Sequence, residues 1–149
     1  MDTKKKLETA LLDAMRSGDV VEKNTIRLTL TSIKMAEVEN REPLDETRLI
    51  AIIQKEIKSR QETIQIAEEA DRFDIVDETK SEIAVLKNYL PEQLGDDEIL
   101  ELARTIITET GAESVRDMGK VMKEILPRIK GRAPNDKVSQ IIKNLLSEV

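Results

Sequence analysis

Carboxylates are the most abundant groups able to do chemistry in this 149-residue chain, and they come in close sets: Glu37 with Glu39, Glu68 with Glu69, Asp74 with Asp77 and Glu78, and Asp96 with Asp97 and Glu98. Paired carboxylates serve general acid–base catalysis or hold divalent cations. A carboxylate-bridged metal bundle also draws on histidines at helical spacing, and Mg²⁺ takes one or two carboxylates together with a phosphate substrate. Histidine and cysteine are both absent, which removes the usual neutral-pH base, the commonest transition-metal ligand and every thiolate nucleophile. Ser32, Ser59, Ser81, Ser114, Ser139 and Ser147 have no glycine-rich elbow around them and no histidine to activate them. A serine–lysine pair would need the glycine- and serine-rich loops of an amidase, and neither these nor a P-loop or dinucleotide fingerprint is present. No catalytic residue, metal ligand or cofactor is assigned. The acids read as solvated helix faces: Asp96 to Glu98 complement a helix N-terminus, and Glu56 with Arg60 and Lys58 with Glu62 are i,i+4 pairs.

Positive charge is distributed differently. The net charge of −6 argues against coating nucleic acid through global electrostatics. Residues 113–149, however, hold eight Lys or Arg against five Asp or Glu, while residues 1–112 hold 16 against 25. The basic stretch is Met118–Leu146, with Arg128, Lys130, Arg132, Lys137 and Lys143 against the single acid Asp136 between Arg128 and Lys143. Gly131, as a left-handed residue ending a helix, would let the backbone turn sharply beneath Arg128, Lys130 and Arg132, and the next helix N-terminus would add N–H donors. Two readings stand: cations complementing a helix C-terminal dipole, or cations presented to an anionic partner. Gly119 falls on an apolar stripe between Val115 and Met122, where it costs roughly 1 kcal/mol relative to alanine. Close approach of another helix is the expected reason, with a ligand contact as the second. Only Tyr89 and Phe73 are aromatic, so stacking platforms for unpaired bases are missing and any RNA would be held by shape and phosphates.

The elements that must position these groups are helical throughout, giving an all-α fold. Leu7, Ala10, Leu11, Ala14 and Met15 predict a first helix over 3–17, stopped at Ser17-Gly18. Asp19 and Glu22 form a capping-box pattern opening a second, with Val21, Ile26, Leu28, Leu30, Ile33 and Val38 on its apolar path up to Pro43. Asp45 caps a long third helix over 45–69 carrying Leu49, Ile50, Ile53, Ile57, Ile64 and Ala67. A break is expected at Ala70-Asp71-Arg72. Phe73, Val76, Ile83, Leu86 and Leu90 carry a fourth helix to Pro91, and Pro91–Gly95 predicts a boundary. Asp96 is the expected cap of a fifth helix, ended by Gly111. Val115, Met118, Val121, Met122 and Ile125 form the next stripe, with Pro127 inside or just after it. Asn135 or Asp136 is the expected cap of the last. The predicted organisation is an N-terminal bundle of longer helices, 1–90, and a small C-terminal three-helix domain, 91–149.

The opening residues lack a continuous apolar core and a small-residue cleavage pattern, so they do not read as a signal peptide. No stretch reaches 18 uncharged apolar residues. No membrane association and no DNA binding are expected, and the absence of cysteine suits a reducing cytoplasm.

Several strings resemble one family. KEIKSRQE at Lys55–Glu62, YLPEQL at Tyr89–Leu94, DMGKVMKEILPRIKGRA at Asp117–Ala133 and the following KVSQIIKNLL, with TLTSIKMAEVE at Thr29–Glu39, are similar to the YqeY-like proteins. These resemble the C-terminal tail of the B subunit of the amidotransferase that corrects misacylated glutamyl- or aspartyl-tRNA. The resemblance implies a helical bundle followed by a three-helix domain, and a tail that contributes tRNA binding and no catalysis. It places Gly119, Lys120, Lys123, Lys130, Gly131 and Arg132 at a tRNA-facing surface, and the basic run adds Arg128 and Lys137. Where the family continues Gly-Arg-Ala-Asp-Gly, this chain has Gly131-Arg132-Ala133-Pro134-Asn135-Asp136, so the turn is altered. The resulting expectation is a non-catalytic accessory protein binding tRNA or another folded RNA. A helical module docking on a translation-related protein is the alternative. Glutamine-dependent carbon–nitrogen ligation, the activity the family label would carry, lacks residues to perform it.

Overall fold

Local side-chain capping and a few left-handed residues divide the chain into its helices. The computed structural model describes residues 2–148, and among these every regular element is helical. Two compact units result, Met1–Leu90 and Pro91–Val149.

The first unit holds α1 (Thr3–Ser17), α2 (Val20–Asn40), α3 (Glu46–Glu69) and α4 (Phe73–Lys87). Asp2 caps α1 by accepting from the N–H groups of Lys4 and Lys5, and Gly18 ends it at φ 77°. Asp19 accepts from Glu22 N–H at 3.0 Å. The reciprocal half of the expected box is not made, because the Asp19 N–H donates instead to the Ala14 carbonyl of the preceding helix end. Asp45 caps α3 through Arg48 N–H at 2.8 Å. The break between α3 and α4 is carried by Asp71 at φ 56°, a conformation aspartate tolerates better than most residues.

Leu7, Ile26, Ile33, Leu49, Ile53, Ile57, Ile83 and Leu86 form this unit's core, with α1 packed along α2 and α3 along α4. Four positions on its predicted stripes are exposed. Phe73 is exposed because burial on α3 stops at Ala67 and on α4 begins at Val76, leaving the first residue of α4 uncovered. Met15 is likewise exposed. On α2, Leu28 and Val38 face solvent, since the apolar path is wider than the side its neighbours cover. Polar groups lock the periphery: Glu46 receives both the N–H and the hydroxyl of Thr3, at 2.9 and 2.7 Å.

The second unit holds α5 (Asp96–Thr110), a 3₁₀ turn at Val115–Asp117, α6 (Met118–Ile129) and α7 (Asn135–Ser147). Its core is Ile99, Ala103, Ile106, Val121, Ile125, Ile129, Val138, Ile142 and Leu146, with Ala112 and Ala133 closing the ends. Two caps differ from expectation. Gly95, not Asp96, precedes α5, so Asp96, Asp97 and Glu98 occupy its first turn, where acids favour the positive end of the dipole. Pro134, not Asn135 or Asp136, precedes α7; its extended backbone at ψ 136° starts the helix, and its carbonyl accepts from Val138 N–H. Val115 is exposed in the 3₁₀ turn, outside the α6 stripe.

Candidate nucleic-acid interface

Helix α6 buries Val121, Ile125 and Ile129 at i,i+4 spacing, with Met118, Met122 and Leu126 partly covered beside them. At 100° per residue the opposite side carries Gly119, Lys120, Lys123, Glu124 and Pro127. Lys120 and Lys123 lie about 60° apart around the axis, while Arg128 is about 140° round from Lys123. Pro127 sits inside the helix, and its missing N–H leaves the Lys123 carbonyl without that intrahelical donor.

The end of α6 is a double left-handed turn. Lys130 has φ 49° and Gly131 φ 77°; the Lys130 N–H donates to the Leu126 carbonyl and the Arg132 N–H to that of Ile129. Gly131 thus takes the left-handed form expected of it, and Lys130 shares it. The segment following Pro91 is laid against this turn. Leu94 N–H donates to the Arg132 carbonyl at 2.7 Å, the Gln93 amide donates to the Gly131 carbonyl at 3.1 Å, and Arg132 Nε donates to the Glu92 carbonyl at 3.0 Å. Two strings far apart in sequence, Pro91–Leu94 and Lys130–Ala133, therefore form one hydrogen-bonded unit with Ala133 buried beneath it.

The candidate residues consequently divide. Arg128 is paired with Glu109 at 2.9 Å, tying the last turn of α6 to α5. Lys137 in the first turn of α7 is paired with Asp96 at the start of α5. Arg132 spends a guanidinium donor on a backbone carbonyl. Lys120, Lys123 and Lys130 are exposed, and none of the three forms an ion pair among the described residues.

Gly119 is exposed, and a Cβ built on it would meet nothing within 4 Å. The expected close approach of another helix is not what calls for glycine here; the position lies on the open side of α6, away from the core. Arg116, outside the set expected from the sequence, is exposed in the 3₁₀ turn. Its spacing of four to Lys120 and seven to Lys123 was the available signal.

Asp117 closes the entry to α6. Its carboxylate accepts from Glu113 N–H at 2.9 Å and Ser114 N–H at 3.4 Å. These bonds, with the Lys120 charge, hold it below the usual carboxylate range. No cluster of three Asp or Glu able to hold a metal ion occurs among the described residues, and none of their helices is long and apolar enough to cross a membrane.

Comparison with known proteins matches residues 4–146 to the family described as Yqey-like protein. The chain is 32% identical to altered inheritance of mitochondria protein 41, mitochondrial, of Pyrenophora tritici-repentis, over 97% of this chain and 78% of that one. It is 28% identical to an uncharacterized protein of Schizosaccharomyces pombe over 55% of this chain and 67% of that one. The Lachancea thermotolerans protein bearing the same name as the first is 35% identical over 60% of this chain and 49% of its own length. A match covering nearly the whole chain, together with the strings that meet at the α6 turn, settles its relationship: the chain belongs to the YqeY-like protein family.

Proposed function

We propose that this protein is a non-catalytic RNA-binding accessory module that holds a folded RNA, most simply tRNA, against the outer side of α6 and its Lys130 end. The observation that carries this reading is the division among the cations. Arg128 and Lys137 are engaged by acids and Arg132 by a carbonyl, while Lys120, Lys123 and Lys130 stand exposed without an ion pair among the described residues. Compact ammonium groups on one helical side suit phosphate contact. With two aromatic residues in the chain, recognition rests on backbone and shape. Gly119 adds a place where a ribose-phosphate chain can approach the helix backbone without meeting a side chain. Similarity to the amidotransferase B-subunit tail supports tRNA as the RNA. Arg128, Gly131, Arg132 and Lys137 act in this reading by fixing the surface that the lysines occupy.

The compartment is part of the proposal. A cytoplasmic site is the expectation from the sequence, and the mitochondrial names of two relatives set the organelle as the alternative, which a fluorescent fusion in the native cell resolves.

The test is fluorescence anisotropy with labelled tRNA and an unstructured RNA of equal length at low and moderate salt. Wild type should favour tRNA with a salt-dependent affinity. Lys120→Glu with Lys123→Glu should lose at least about tenfold, and each lost phosphate contact should lower the salt slope by about 1. Absence of tRNA binding by wild type at low salt, or equal binding by the double variant, would overturn it.

A further inference from the structure

The outer side of α2 carries a second surface, in the other unit and of different chemistry. Between Glu22 and Glu37 the chain has no acid, although residues 1–112 hold 25 of them. Within this window the exposed residues of α2 are Asn24, Arg27, Leu28, Thr31, Lys34 and Met35, continued by Val38. Their spacing of three, one, three, three, one and three repeats every seven residues. That spacing places them on one side of the helix, in the arrangement by which one helix receives another. Leu28, Met35 and Val38 are 55%, 67% and 69% exposed, so the row is apolar as well as basic. The Thr31 hydroxyl is satisfied by the Arg27 carbonyl at 2.9 Å and needs no outside partner. Neither Arg27 nor Lys34 forms an ion pair among the described residues.

We infer that this row is a docking surface for an acidic amphipathic helix of a partner protein, whose apolar side covers Leu28, Met35 and Val38 while its carboxylates meet Arg27 and Lys34. Charge complementarity selects this occupant. A second copy of the chain would set Arg27 and Lys34 against their own kind along the shared row, a like-charge juxtaposition. Phosphates would use the two cations and leave three large apolar side chains against water, and the row has no aromatic to stack a base. From Val20 to Val38 the surface is about 27 Å long, which a partner helix of about five turns spans. The inference is independent of the RNA reading, which concerns the other unit.

The test places a photo-crosslinking amino acid at Thr31 of the full chain in its own cells, with exposed Ser81 on α4 as the control position, and sequences the adduct. The expected adduct is a segment of another protein, net negative, with apolar residues at three- and four-residue spacing. A synthetic peptide of that segment should bind the purified chain and lose at least tenfold in affinity with Arg27→Glu plus Lys34→Glu. It should lose as much with Leu28→Ser plus Met35→Ser. Both variants should keep the wild-type helical signal and thermal midpoint, and Lys130→Asn should bind the peptide as wild type does. Adducts to RNA, to lipid, to a second copy of this chain or to a basic segment would overturn the proposal, as would no adduct above the Ser81 control.

Discussion

Arg132 Nε donates to the Glu92 carbonyl at 3.0 Å across 40 residues of sequence, so a cation that reads from composition as a surface charge is also a clip holding the start of the second unit to the end of α6. Arg132→Lys keeps the charge and removes the fork. It should lower the stability of the second unit by about 1 kcal/mol, the scale of one hydrogen bond, seen as a shift in the urea midpoint. The same variant should bind tRNA within about twofold of wild type if Arg132 acts as a positioning residue. A large affinity loss without a stability change would instead make it a direct contact.

Gly119→Ala separates the helix from its ligand. With nothing within 4 Å of the added methyl, alanine should stabilise the protein by about 0.5–1 kcal/mol through helix propensity and a less flexible unfolded chain. If the glycine serves close approach of RNA, affinity for tRNA falls as stability rises. The pair of readouts, thermal midpoint and anisotropy, should move in opposite directions.

Lys130 and Gly131 are both left-handed, and this sets which substitutions are informative. Lys130→Asn removes the charge with a residue that tolerates the conformation, so stability should hold while tRNA affinity drops. Gly131→Ala forces a Cβ into that conformation and should cost roughly 1–2 kcal/mol. Thermal melts of the two variants should therefore differ in the opposite order to their tRNA affinities.

These contrasts show where the sequence was readable. Asp19 and Asp45 are legible as caps because capping joins a side chain to a backbone N–H three residues on, an arrangement that needs no tertiary partner. Gly95 and Pro134 are not legible as the residues preceding α5 and α7, because neighbouring Asp96 and Asn135 carry the usual capping side chains but fall inside the first turn. The apolar periodicity of α2 was plain, yet whether Leu28 and Val38 face the core depends on which neighbours lie alongside, information held elsewhere in the chain. At the candidate site, the cation types could be counted, but the Arg132–Glu92 and Arg128–Glu109 partnerships join residues 40 and 19 apart and leave no local trace.

Acid should loosen the first unit through Glu37. This carboxylate receives Lys4 Nζ at 2.8 Å and Leu44 N–H at 3.0 Å, and the Lys4 hydrogen bond, then the Leu44 one, hold it below the usual carboxylate range. The folded state thus favours the ionised form. The unfolded chain binds a proton at higher pH than the folded one, so the contribution is complete above the ordinary glutamate value and disappears as pH falls through the depressed folded value. Lys4 is shifted upward by the same contact, and its share is lost only at strongly alkaline pH. Thermal midpoints measured from neutral pH down through the carboxylate range should fall less steeply for Glu37→Gln than for wild type.

Arg60 supplies the sharpest test of what holds the bundle together. Its side chain is only 11% exposed, paired with Glu56 at 2.8 Å and near Glu82 at 3.6 Å, while the Ser32 hydroxyl donates to Glu56 at 2.8 Å. The i,i+4 partnership with Glu56 was visible in the sequence; the link to α2 through Ser32 and to α4 through Glu82 was not. Removing the arginine leaves two partly covered carboxylates without their cation. Breaking such a pair costs more than the pair contributes, because the remaining charge stays desolvated. Arg60→Ala should therefore destabilise by roughly 2–3 kcal/mol, and Glu82→Gln, which leaves Arg60 with Glu56, by under about 1 kcal/mol. Combining Arg60→Met with Glu56→Gln and Glu82→Gln removes all three charges, and should recover a large part of the loss. Urea midpoints for the three proteins decide it: no recovery in the triple variant would show that the network acts through its geometry and not through its charge balance.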